Sequence, residues 1–276
     1  MLTDLRSILA LAEEKGCAIP AFNCYTQECV MGVLEAAKET GAPVIFQMFS
    51  RLADTNDGNF VAPAILEAIR QIPQPAVMHL DHGAGIPEVV RAIRLGMTGV
   101  MIDASTLPLE ENIATTKLAA ELCGYVGVPV EGELGHVGAT KDEVLGNYTD
   151  VAEAERFVKE TGVSALAVMV GTAHGRYKKA PVLDIQRIRD IREATGKLPL
   201  VLHGGSGVPD EQVAEAVEAG IRKVNFATDL CYAFLDQVMV TERTTVALDV
   251  FMREPIHAIR DYCIGKIRLL GADRIL

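Results

Sequence analysis

The chain contains no tryptophan and only 5% aromatic residues, no CxxC pair among its six cysteines, and fewer Lys and Arg (26) than Asp and Glu (37). Each shortage narrows the field. Cysteines scattered at 17, 24, 29, 123, 231 and 263, in a chain long enough to stand without staples, predict reduced thiols rather than a disulfide framework. A net charge of −11 leaves no basic face for broad nucleic-acid or membrane-surface binding. No window reaches ~18 uninterrupted apolar residues, and Met1-Leu2-Thr3-Asp4-Leu5-Arg6 lacks the basic-then-apolar start of a secretory signal, so a cytoplasmic protein is expected. No low-complexity stretch or linker marks a second domain. What remains is 276 residues, 49% hydrophobic and 23% charged, an ordinary globular composition. That length fits one large domain, residues 1–276.

Short apolar runs alternate with helix-period segments along the whole chain. After a capped helix from Thr3-Asp4 to about Lys15-Gly16 that reads as a lid, the run Cys17–Phe22 closes on Asn23 and a helix follows from Thr26 to Glu39. The strand Pro43–Gln47 leads through a polar loop into a helix over Val61–Arg70, and the strand from Pro75 leads to a helix over Ile86–Leu95. The pairs continue with Gly99–Asp103 and Leu109–Leu122, Val128–Glu133 and Val151–Thr161, Ala165–Met169 and Asp184–Ala194, Leu198–Leu202 and Asp210–Ala219, and Lys223–Phe226 and Asp229–Val240. Eight such units close most naturally as a (β/α)8 TIM barrel, with extra C-terminal helices after Arg243. An open doubly wound sheet would want a Gly-rich turn after its first strand, where this chain has Asn23-Cys24-Tyr25.

In such a barrel the chemistry sits at the C-terminal ends of the strands. The third strand ends on Met78-His79-Leu80-Asp81-His82-Gly83, so that of Asp81 and His82 one can hold a metal while the other faces a substrate. His174 and His203 end strands six and seven. The gaps of 92 and 29 residues match no local zinc motif, but three imidazoles over one barrel mouth satisfy an open catalytic zinc site, with the fourth position left for substrate or water. His203-Gly204-Gly205-Ser206-Gly207 after strand seven, and Asn225-Phe226-Ala227-Thr228-Asp229 opening the helix after strand eight, read as a phosphate cradle of backbone N–H groups. An anion can then bind to an acidic protein without a basic face.

These segments, together with Pro20-Ala21-Phe22-Asn23, Val100 to Ser105, Val130-Glu131-Gly132-Glu133-Leu134-Gly135, Gly171 to Gly175 and Lys223 to Thr228, resemble the class II, metal-dependent ketose-bisphosphate aldolases, within them the fructose- and tagatose-bisphosphate branch. The resemblance covers almost the whole chain. It implies a Zn2+ ion on His82, His174 and His203, with Glu133 as a further or outer metal carboxylate, and Asp81 as the acid/base at the C4 hydroxyl. It further implies dihydroxyacetone phosphate bound by Gly175, Gly204, Gly205, Ser206, Asn225, Phe226, Ala227 and Thr228, polar substrate contacts from Asn23 and Ser50, a monovalent cation (Na+ or K+) near the phosphate, and a homodimer or homotetramer. The expected reaction is cleavage or formation of a ketose 1-phosphate or 1,6-bisphosphate, giving dihydroxyacetone phosphate and an aldehyde through a metal-stabilised enediolate.

The departures from the family pattern concern the aldehyde half. After Gly135 the chain reads His136-Val137-Gly138-Ala139-Thr140-Lys141-Asp142-Glu143, where the family usually has Gly-Gly and an acidic pair, which leaves His136, Lys141, Asp142 and Glu143 as candidates for the proton at the enediolate carbon. Thr106-Leu107-Pro108 replaces a His-containing stretch, and Arg51 follows Ser50, either as a solvated charge or as a site for an anionic aldehyde tail. Aldol chemistry is therefore better specified than the sugar. A deoxy, keto-acid or sulfonated ketose 1-phosphate is one alternative. A non-catalytic subunit supporting an aldolase is another, against which stand the intact Asp81, His82, His174 and His203.

Overall fold

The computed structural model describes residues 1–138, 148–242, 244 and 246–275. Eight parallel strands close a barrel in sequence order: β1 (Ile19–Asn23), β2 (Val44–Phe49), β3 (Ala76–Gly83), β4 (Gly99–Ile102), β5 (Val130–Leu134), β6 (Ala165–Val168), β7 (Leu200–Leu202) and β8 (Ile221–Phe226). β1 closes the ring by pairing with β8, Ala21 opposite Asn225. The TIM barrel read from the alternation is the fold observed. Its strands are buried on both faces, as a helix-wrapped parallel sheet requires, which is why they appear in the sequence as unbroken apolar runs rather than alternating ones.

Around the barrel run α2 (Gln27–Thr40), α4 (Gly58–Arg70), α5 (Ile86–Arg94), α6 (Leu109–Gly124), α7 (Val151–Thr161), α8 (Ile185–Ala194), α9 (Asp210–Ala219) and α10 (Thr228–Val240), with a one-turn α3 (Ser50–Ala53) after β2. Their ends follow local chemistry. Asp150 caps α7 by accepting from the N–H groups of Ala152 and Glu153, Asp184 caps α8 through the Arg187 N–H, and Gly41 and Gly162 end α2 and α7 in left-handed conformation. The first helix, α1 (Leu5–Lys15), covers the N-terminal end of the barrel, where Leu2 bridges to Ala76 and Leu5 donates its N–H to the Thr98 carbonyl. The expected extra helices are α11 (Leu248–Phe251) and α12 (Arg253–Leu270), the second packed on α2 so tightly that a Cβ on Gly32 would lie 2.5 Å from Ile259. No helix among the described residues is long and apolar enough to cross a membrane.

Two local differences from the sequence reading bear on the site. β2 runs on to Phe49 and turns at once into α3, where an irregular polar loop was expected; Phe49 thereby becomes a strand-end residue at the barrel mouth. β3 ends on Asp81, His82 and Gly83 as read from the sequence, but with a register shift against β4 between Leu80 and Gly83 that the sequence did not announce. His82 sits at that irregularity with φ of +52°, a left-handed conformation costly for a residue with a Cβ and concentrated at functional sites.

Candidate active site

The C-terminal ends of the strands bring His82 (β3), His174 (loop after β6) and His203 (after β7) together, each offering a ring nitrogen within 4.8 Å of the others. His82 Nε2 lies 3.0 Å from His203 Nδ1, and the three rings meet edge to face with centroids 4.7–5.8 Å apart. Nitrogens bound to one tetrahedral zinc at about 2.0–2.1 Å would stand roughly 3.3 Å apart, so the spacing suits a shared ion. The outer nitrogens are held as metal ligands usually are. His82 Nδ1 bonds Asp103 Oδ2 at 2.7 Å, and His203 Nε2 bonds Glu131 Oε1 at 2.9 Å. His174 Nε2 and Glu133 Oε2 are buried without a hydrogen-bond partner among the described residues, polar atoms that a cation would satisfy. The donor set therefore fits a divalent metal. Glu133 stands 3.7 Å from His203 Nδ1 and groups with His82 and Asp103 as a second possible ligand set, while its Oε1 accepts from the Val137 N–H.

The electrostatics of the triad are uneven. Burial disfavours protonation of His82, but Asp81, the Asp103 hydrogen bond and Glu133 outweigh it and raise its pKa to about 10. Burial, with His82 beside it, lowers His174 to about 4, and burial, His82 and Lys223 push His203 well below its ordinary value. Burial, reinforced by Asp103, raises Glu133 to about 8. Asp81 works against desolvation: His82, His203, Lys223 and the Asn23 hydrogen bond hold its carboxyl below the usual range. The carboxylate is gripped by Asn23 Nδ2 at 2.7 Å and Asn225 Nδ2 at 3.3 Å, with Asn23 itself fixed by Gln47.

Beneath the triad, inside the barrel, Glu131 also accepts from Lys223 Nζ at 2.8 Å, and His79 Nε2 lies 3.5 Å away. Glu131, Lys223 and His79 are fully buried, as is His203 above them. Lys223 is thereby committed to Glu131 inside the barrel.

The cavity has two lobes that meet at Asn23, Asp81, His174, Ala227 and Thr228. The narrow lobe is lined in addition by Gly175, Gly204, Ser206 and Asn225, and the N-terminus of α10 opens onto it at Thr228, as anion sites require. Gly204 has φ of +64° and its Cβ, if present, would sit 2.5 Å from the Ala173 carbonyl, so only glycine brings this loop so close to the β6 loop. Gly205 and Phe226 do not line the lobe. The Gly205 N–H donates to the Asn225 carbonyl, and the Phe226 ring stacks on Phe22 in the core, so they shape the cradle from behind. The wide lobe, about 510 Å³, is walled by Tyr25, Phe49, His82, Asp103, His136, Val137 and Gly138. Ser50 is the first residue of α3 and lines neither lobe.

Several contributors carried no assigned role in the sequence reading. Asp103 was visible as a strand-end acid, but not as the partner of His82. Tyr177 left no signal: its hydroxyl accepts from the Ala173 N–H at 2.7 Å and reaches the carbonyls of Ala173 and Gly204, joining the two loops that carry His174 and His203. Asp229 accepts from the Gly207 N–H. Lys141, Asp142 and Glu143 lie outside the described residues, whereas His136 faces the wide lobe with its Nδ1 3.0 Å from Ser105 Oγ.

Comparison with known proteins places this geometry in context. The family model described as fructose-bisphosphate aldolase class-II matches residues 3–274. A fructose-bisphosphate aldolase of Staphylococcus aureus is 38% identical over 99% of this chain and 98% of its own, and the 6-phospho-5-dehydro-2-deoxy-D-gluconate aldolase of Bacillus licheniformis is 36% identical over 98% and 95%. The crystal structure of the YdjI aldolase from Escherichia coli superposes with a TM-score of 0.89 at 35% identity, covering 99% of this chain and 98% of that one.

Proposed function

The chain belongs to the class II fructose-bisphosphate aldolase family, and from that membership we propose that residues 1–276 act as a single zinc-dependent catalytic unit. It cleaves and forms the C3–C4 bond of a ketose 1-phosphate, or of a fructose- or tagatose-type 1,6-bisphosphate. The observation that carries this is the placing of an amide-held Asp81 between three convergent imidazoles and a glycine-built lobe.

In the proposed reaction the phosphate of the dihydroxyacetone half occupies the narrow lobe, against Gly175, Gly204, Ser206 and the start of α10, with a monovalent cation nearby. Asp81 takes the proton from the C4 hydroxyl as the C3–C4 bond breaks, C4 becomes the aldehyde carbonyl, and the electron pair stays on the C3 side. Asn23 and Asn225 keep the Asp81 carboxylate turned toward that oxygen. His82, His174 and His203 would hold the zinc ion, with Glu133 beside them. When bound, that ion supplies a Lewis acid for the charge that cleavage leaves on the ketone oxygen. His136, which faces the wide lobe outside the triad and whose ring Ser105 holds, supplies the proton that C3 then takes up. The exposed apolar residues Leu235, Met239, Val240, Leu248 and Val250 on α10 and α11 support self-association as a homodimer or homotetramer. The test is release of dihydroxyacetone phosphate from a panel of ketose 1-phosphates by zinc-loaded enzyme; failure on every member would sink the reading.

A second reading keeps the reaction and changes the sugar. The Bacillus licheniformis relative is named for a phosphorylated sugar acid rather than a bisphosphate. In this chain a cationic side chain, Arg51, stands near the aldehyde side of the site.

A further inference from the structure

Beyond the wide lobe lies another cavity of about 370 Å³, lined by Tyr25, Thr26, Cys29, Arg51, Cys231, Phe234 and Leu235. Tyr25 belongs to both, so the two share a wall. Arg51 is the charged side chain in this lining, and no carboxylate among the described residues lies within ion-pair distance of it. Its guanidinium rests 5.9 Å from the centroid of the Phe49 ring, within reach of a cation–π contact, and that ring lies 5.8 Å from the ring of His82. One aromatic side chain thus separates the guanidinium from a residue of the imidazole triad.

We propose that Arg51 selects the aldehyde half of the substrate by charge, binding a carboxylate at the far end of a short-chain aldehyde. The inference rests on the aldolase reading of the site. With the phosphate in the narrow lobe and the C4 oxygen at Asp81, the remaining carbons of the aldehyde must extend into the wide lobe, along the wall formed by Tyr25 and Phe49. That wall leads to Arg51. In a protein of net charge −11 an anionic aldehyde is repelled by the overall field, so an unpaired cation at the mouth decides whether it stays. The planar guanidinium fork matches a carboxylate through two parallel hydrogen bonds, and Tyr25 and Thr26 are the polar residues that line the cavity with it. A second phosphate would need the dense donor set that the narrow lobe has and this cavity does not.

The experiment uses zinc-loaded enzyme in the condensation direction, with dihydroxyacetone phosphate and three aldehydes: malonate semialdehyde, neutral glyceraldehyde and glyceraldehyde 3-phosphate. The wild type and the Arg51→Met and Arg51→Lys variants are each normalised to their own rate of solvent-proton exchange into dihydroxyacetone phosphate, a half-reaction that needs no aldehyde. Wild type is expected to favour the semialdehyde. Arg51→Met is expected to lower the ratio of kcat/KM for semialdehyde over glyceraldehyde by about 10- to 100-fold, chiefly through KM, as loss of a charged hydrogen-bonded pair would. Arg51→Lys, which keeps the charge without the fork, should fall between. An unchanged ratio in Arg51→Met, or a wild-type preference for the phosphorylated aldehyde, overturns the inference while leaving the aldolase reading intact. Absence of proton exchange in the wild type overturns the aldolase reading, and this inference with it.

Discussion

Asp103 Oδ2 stands 2.7 Å from Nδ1 of His82, and His82 is held at φ of +52°, so the acid and the backbone together fix which nitrogen of that ring faces His174 and His203. Ser105 in turn donates its backbone N–H and its hydroxyl to the other oxygen of Asp103. The expected consequence is that Asp103→Asn weakens zinc binding by about 10- to 100-fold, the usual effect of removing a carboxylate that orients a ligating imidazole. Competition against a chromophoric chelator measures this directly; an unchanged zinc affinity would show that Asp103 does not orient the ring.

Asp81 and His136 are assigned to different protons, and their variants should fail differently. Asp81→Asn is expected to lose cleavage by about 10²- to 10⁴-fold, since the C4 hydroxyl loses its base. Its exchange of the dihydroxyacetone phosphate C3 proton with solvent should suffer less. His136→Gln should show the reverse pattern, with exchange the slower step. Proton NMR in D2O alongside a coupled cleavage assay separates the two, and identical profiles for both variants would refute the division of labour.

The buried pair of Lys223 and Glu131 makes a prediction about stability rather than rate. Removing either charge leaves the other unpaired in the barrel interior, so Lys223→Met and Glu131→Gln should each cost about 3–5 kcal/mol. The double variant should lose clearly less than the sum of the two, because the side chains touch. Denaturant titration of the four proteins completes the cycle, and additive losses would mean the pair is not coupled.

Gly204→Ala places a methyl group where the Ala173 carbonyl already sits, on a residue with left-handed φ. Strain of about 1–3 kcal/mol should appear as lost stability. Displacement of the β7 loop should appear as weaker binding of inorganic phosphate, read by calorimetry. Full phosphate affinity in a folded Gly204→Ala protein would remove this loop from the anion site.

At the opposite end of the barrel, Glu13 on α1 receives Arg222 Nε at 2.7 Å and both terminal nitrogens of Arg192, one of them Nη1 at 3.0 Å. The Arg192 hydrogen bond, aided by Arg222, holds this carboxyl below its ordinary 4.5 against partial desolvation. A depressed folded-state pKa adds stability that is present above the unfolded value and disappears as pH falls through the folded one. The Tm difference between wild type and Glu13→Gln should therefore be largest at neutral pH and shrink below about pH 4.5. A difference that grows on acidification would reverse the sign and reject the pairing.

Much of this molecule was legible in its sequence because a barrel strand is buried on both faces and ends abruptly. A run such as Leu200-Val201-Leu202 stands out as apolar, and the polar residue that follows it marks the mouth. His82, His174 and His203 were found by that rule, and the structure brings them together. The rule could not see Tyr177, which follows the strand end by several residues and acts through backbone carbonyls rather than through a motif. Nor could it see that Phe49 belongs to β2, because α3 begins without a capping side chain to announce it. Phe226 and Gly205 show the converse. A residue can sit in a recognisable motif and still turn its side chain or its amide away from the ligand.

The hydroxyl of Tyr177, bound to Ala173 on one side and Gly204 on the other, ties the segment bearing His174 to the one bearing His203. Gathering two imidazoles from remote stretches of chain is thus completed when the barrel folds. Uptake of a cation should therefore be fast and leave the melting cooperativity of the protein as it was.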